Sequence, residues 1–100
     1  MKEDVFNQYV ERVMDLFNID RETLFSNKKQ RHIVDARQLL YYLCCNRQMQ
    51  NIIIINFMNK NGCSVLNNSI SNGIKNVKIK IEEDKDYKTI INDIEKAVFI

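Results

Sequence analysis

Apolar residues at Val5, Phe6, Tyr9, Val10, Val13, Met14, Leu16 and Phe17 recur every three or four positions, the spacing that lays one hydrophobic stripe along a helix. Asn18 and Asp20 end that stripe, and Asp20 is suited to cap a short second helix running through Leu24 and Phe25. The basic stretch Asn27-Lys28-Lys29-Gln30-Arg31 has no apolar period and reads as a loop. Ile33, Val34, Ala36, Leu39, Leu40, Leu43 and Cys44 then restore the helical spacing to about Cys45. Within that segment the neighbours Tyr41 and Tyr42 cannot both face the core.

Residues 46–51 are polar and predict a turn. The segment from Ile52 to Met58 is ambiguous by itself, because four successive isoleucines suit a buried strand as well as a helix. Asn59-Lys60-Asn61-Gly62 is the strongest turn signal in the chain, after which Val65, Leu66, Ile70 and Ile74 return to helical spacing. The order is helix, turn, helix. Gly73, followed by Lys75 and Lys78, is expected near the C-terminal end of this helix, where cations favour the dipole. Val77-Lys78-Ile79-Lys80-Ile81 alternates with period two and locally reads as a short strand. From Asp84 onward Tyr87, Ile90, Ile91, Ile94, Ala97 and Val98 share one helical face.

Composition narrows the fold class. The 100 residues include two glycines, no proline and no tryptophan, too little turn material for an all-β sandwich or a glycine-rich phosphate loop. Helices are favoured, and one domain over residues 1–100 is expected. The longest aliphatic run, Ile52 to Ile55, is far short of the roughly 20 apolar residues needed to span a bilayer. The acidic start Met1-Lys2-Glu3-Asp4 lacks the features of a secretory signal, so a cytoplasmic location is expected.

Charge changes the picture more than composition does. Residues 1–27 hold six acids and three bases, and residues 82–100 the same numbers again. Between them, residues 28–81 hold nine bases and one acid, Asp35; from Ala36 through Ile81 there is no carboxylate. Each phosphate that a protein neutralises releases counterions, whereas an interfacial carboxylate repels the backbone. The segregation therefore points to a polyanion-binding middle.

Other chemistries lack their residues. Cys44, Cys45 and Cys63 are odd in number and two are adjacent, which suits reduced thiols rather than a disulfide framework. His32 is the only histidine and there is no Cys-x-x-Cys, so no metal or other cofactor is expected. No phosphate-binding loop motif occurs, and no third residue orients His32 toward a cysteine nucleophile. The chain is not expected to be an enzyme.

Val13-Met14-Asp15-Leu16-Phe17-Asn18-Ile19, Arg31-His32-Ile33-Val34-Asp35-Ala36-Arg37-Gln38 and Ser64-Val65-Leu66 together resemble the C-terminal DNA-binding domain, domain IV, of the bacterial replication initiator DnaA. That domain is a helix-turn-helix of the Trp-repressor-like group, and the resemblance covers nearly the whole chain. It implies an all-α helix-turn-helix bundle of about six helices, with Ile52 to Met58 helical. It also implies that the helix after the second turn enters the major groove while the basic loop and the Arg-Gln helix grip phosphate and minor groove. The family's diagnostic Gly-Gly-Arg-Asp-His-Ser/Thr-Thr-Val aligns with Met58-Asn59-Lys60-Asn61-Gly62-Cys63-Ser64-Val65. A basic residue, a hydroxyl and the Val-Leu anchor remain; the His and Asp do not, and the middle loop is about two residues short. The initiator's own recognition box is therefore not carried over.

These observations nominate a DNA-binding set: Lys28, Lys29, Arg31 and Arg37 for backbone and minor groove, then Lys60, Asn61, Cys63, Ser64, Asn67 and Asn68 around a reading helix spanning residues 62–74. Asn61 would cap that helix and Ser64 would donate to a phosphate. Lys60 is either a guanine reader or a solvated turn lysine, and Arg37 either enters a groove, supports the loop or pairs with Asp35. Asn67 or Asn68 would face adenine, although asparagine is abundant throughout. The expected function is double-stranded-DNA binding in replication or transcription control without the initiator's ATPase motor, with a second copy of the chain or a replication protein as further partner. Richness in Asn, Ile and Lys fits an AT-rich genome such as that of a phage, plasmid or low-GC bacterium. The competing reading is a protein-interaction module with a degenerate helix-turn-helix that regulates a replication protein through Tyr41, Tyr42 and exposed isoleucines.

Overall fold

The computed structural model describes residues 1–98, and every regular element among them is helical. The helices are α1 (Lys2–Phe17), α2 (Arg21–Leu24), α3 (Arg31–Asn46), α4 (Asn51–Lys60), α5 (Asn67–Glu83) and α6 (Lys85–Ala97). Local signals set several boundaries. Asn18 takes the left-handed conformation at the end of α1 (φ 53°), which a short polar side chain tolerates. The Asp20 carboxylate accepts from the Thr23 amide at 2.8 Å and caps α2. Asp84 does the same for α6, accepting from the amides of Asp86 at 2.9 Å and Tyr87 at 3.4 Å.

The buried side chains form one cluster drawn from all six helices, including Phe6, Leu24, Leu39, Ile54, Ile70 and Ile91. Helix α3 is its axis, covered by α1 and α5. Tyr41 faces inward and is buried; Tyr42, one position on, is half-buried. Gly73 lies in the middle of α5, where a Cβ would meet Gln38 Cγ and Tyr41 Cδ2 at 3.0 Å. The absent side chain lets α5 approach α3 closely.

Three expectations are corrected. The alternating stretch 77–81 is not a strand: Ile70, Ile74, Val77 and half-buried Ile81 continue one helical stripe, and Ile79 turns outward with 44% of its surface exposed. Long-range packing at helical spacing overrides the local period of two. Gly73, Lys75 and Lys78 are accordingly inside α5, which runs on to Glu83. The helix expected to start at residue 62 begins at Asn67, because Asn61 and Gly62 form a turn, with Gly62 at φ 89°, and residues 63–66 are a non-helical connection in which Cys63 is buried. The Ile52–Met58 segment is helical: Ile54 and Met58, four apart, are buried, while Ile52 and Asn56, also four apart, are exposed.

Candidate nucleic-acid interface

Helix α5 divides its surface by angle. Ile70, Gly73, Ile74 and Val77 face the core, leaving Asn68, Asn72, Lys75 and Ile79 on the opposite side. Asn67 and Ser71 lie toward α4, where Asn51 Nδ2 donates to Asn67 Oδ1 at 2.8 Å and to Ser71 Oγ at 3.0 Å. Leu66, the N-cap residue, offers no side-chain acceptor to the first turn and is 74% exposed. Beside this leading turn lies a groove of about 430 Å³ whose walls include Lys29, Gln38, Ser64, Ser69 and Asn72. That groove joins the basic loop before α3 to the start of α5.

The nominated residues divide into two groups. Lys28, Lys29, Ser64 and Asn68 are exposed on or near this face, as is Asn67, whose amide is held by Asn51. Arg31 is exposed at the start of α3, with Nε 3.5 Å from Asp35 Oδ1. The others are turned to the protein itself. Arg37 is only 8% exposed; its guanidinium donates to the Ser26 carbonyl at 2.9 Å and to the Lys28 carbonyl, so it supports the loop and does not enter a groove of DNA. Lys60 Nζ lies 2.8 Å from Glu3 Oε2, which occupies it with α1. Asn61 does not cap α5: it ends α4, donating to the Phe57 carbonyl at 2.8 Å and accepting from Arg21 at 2.9 Å. Cys63 is buried, with Sγ 3.9 Å from the Ser26 carbonyl, and burial raises its thiol pKa.

Of the nine bases in the middle of the chain, ion pairs also take Lys80, 3.0 Å from Asp35, while Arg47 donates to the Val98 carbonyl at 3.2 Å. Among the described residues Lys28, Lys29, Lys75 and Lys78 take part in no salt bridge, and all four are exposed. Asn72, Lys75, Lys78 and Leu66 were not among the nominated residues. The signal that finds them is the angular one, since positions 68, 72 and 75 lie opposite 70, 74 and 77 once the helix is extended past Gly73.

Tyr41 is buried, so it cannot contribute to the Tyr41-Tyr42 contact patch of the competing reading. His32 is exposed, its ring edge-on to Phe17 at 5.7 Å. Among the described residues no group of three or more His, Cys, Asp or Glu side chains is placed to hold a metal, and no helix is long and apolar enough to cross a membrane. No protein-family model, curated protein or solved structure matches the chain.

Proposed function

We propose that the chain is a double-stranded-DNA-binding helix-turn-helix protein, comparable to the origin-binding domain of DnaA, acting in replication or transcription control. One observation carries this reading: the outward face of α5 and the basic loop meet at a common groove, and their exposed lysines take part in no salt bridge among the described residues. An α-helix fits the major groove, about 12 Å wide, and reads base edges from its first turns. Leu66 through Asn72 would lead, with Lys75 and Lys78 further along on phosphate. Lys28 and Lys29 would contact the adjacent backbone, each adding salt-dependent affinity without sequence preference.

The test is selection of duplexes from a random-sequence library at moderate salt, followed by affinity measurement on the winners. Enrichment of one motif, bound more tightly than unrelated sequence, is the expected outcome. No enrichment, with affinity no better than about 10⁻⁴ to 10⁻⁶ M at physiological salt, overturns specific recognition and favours the protein-interaction module.

A further inference from the structure

The chemistry of the leading turn of α5 sets which bases it can read. From Asn61 through Ile74 the chain has no charged residue. Major-groove recognition of guanine relies on Arg or Lys donating to O6 and N7, and recognition of cytosine on a carboxylate accepting from N4. Neither kind of group is present on this turn. Lys60, the nearest preceding cation, is paired with Glu3, and Lys75 sits about 13 Å along the helix axis from Leu66 at 1.5 Å per residue. The turn instead offers amides, hydroxyls and one bare aliphatic side chain.

Asn68 and Asn72 lie one turn apart on the outward face, and neither side-chain amide has a hydrogen-bond partner within the described residues. A carboxamide presents one acceptor and one donor side by side, the complement of adenine N6 and N7. Leu66 stands at the tip of the turn, 74% exposed and with no polar atom in its side chain, as contact with the thymine C5-methyl requires. Asn67 has its acceptor Oδ1 engaged by Asn51, which also donates to Ser71 Oγ and so ties the turn to α4.

Resting on the DNA-binding reading above, we infer that α5 reads consecutive A·T pairs in the major groove, with Asn68 and Asn72 on adenine edges and Leu66 on a thymine methyl. The test uses the full chain and anisotropy titrations at fixed moderate salt, on duplexes that differ only in an A·T or G·C central tract. The A·T duplex is expected to bind about tenfold or more tightly. Replacing thymine by uracil, which deletes only the methyl, should weaken wild-type binding severalfold and leave Leu66→Ala unaffected. Replacing adenine by 7-deazaadenine should likewise weaken the wild type more than Asn68→Ala or Asn72→Ala. All three substitutions are at exposed positions, and an unchanged thermal transition verifies that each variant is folded.

Equal affinity for the two tracts overturns the inference and leaves DNA binding standing. An A·T preference that survives both base replacements overturns it too, because the preference then comes from the minor groove or from duplex shape. Absence of any duplex binding overturns the DNA-binding reading and the inference with it.

Discussion

Two basic residues eight positions apart in sequence do opposite jobs. Arg37 spends its guanidinium inside the protein, tying the carbonyls of Ser26 and Lys28 to α3, while Lys29 extends from the same loop into solvent. Arg37→Ala leaves those carbonyls without their donor and should lower stability by about 2 kcal/mol, read as a reduced urea midpoint. Arg37→Lys should restore little, since lysine lacks the planar fork that reaches both carbonyls. Lys29→Ala should change stability by less than about 0.5 kcal/mol while making the salt dependence of duplex binding shallower by about one unit of slope. Burial also affects Tyr41 and Tyr87, whose phenols are pushed from 10.0 up to about 12, chiefly by desolvation. Their contribution to stability is fully present below pH 10, where both folded and unfolded phenols are neutral. Above it the unfolded chain loses protons first, so stability should fall as pH rises from about 10 toward 12. Urea midpoints across that range check this, and Tyr41→Phe should flatten the fall.

At the scale of elements, α5 carries both the packing stripe and the proposed reading face, and its stripe makes opposite demands on close neighbours. Val77 is buried and Ile79 faces outward, so Val77→Ala should cost about 2 kcal/mol and Ile79→Ala less than about 0.5. A strand over 77–81 would put both on one face and predict similar costs; the two urea midpoints therefore separate the periods. Gly73→Leu should destabilise by about 1–3 kcal/mol, because the added side chain enters the space held by Gln38 and Tyr41. Most of the helical architecture was legible in apolar spacing: α1, α3 and α6 announce themselves by stripes, and α2 and α6 by their aspartate caps. The α4 isoleucines were not legible alone, since β-branched runs suit either state until their neighbours choose a face. The start of α5 was misplaced because the Asn59–Gly62 turn signal marks the end of α4, and no side-chain cap marks the later start at Asn67. At the candidate site, charge segregation singles out the stretch that holds Lys28, Lys29, Lys75 and Lys78, whereas the surroundings of Arg37, Lys60 and Asn61 depend on partners up to 57 positions away in sequence.

For the molecule as a whole, a count of basic residues and a count of cations available to a phosphate are different quantities. The middle of the chain holds nine bases. Arg37 and Arg47 are bound to backbone carbonyls, Lys60 to Glu3, and Lys80 and Arg31 to Asp35, which leaves Lys28, Lys29, Lys75 and Lys78 outside any salt bridge among the described residues. Each phosphate neutralised on B-form DNA contributes about −0.9 to the slope of log affinity against log salt concentration. Four contacts give about −3.6, and nine would give about −8. Titrations of one duplex at several salt concentrations should therefore return a slope near −4. Lys75→Ala and Lys78→Ala should each bring it closer to zero by about one unit, whereas Lys60→Ala should leave it unchanged. A slope near −6 would mean that the Glu3 and Asp35 pairs open on DNA and release Arg31, Lys60 and Lys80, making seven contacts. In that case Glu3→Gln, which frees Lys60 beforehand, would tighten binding instead of leaving it as it is.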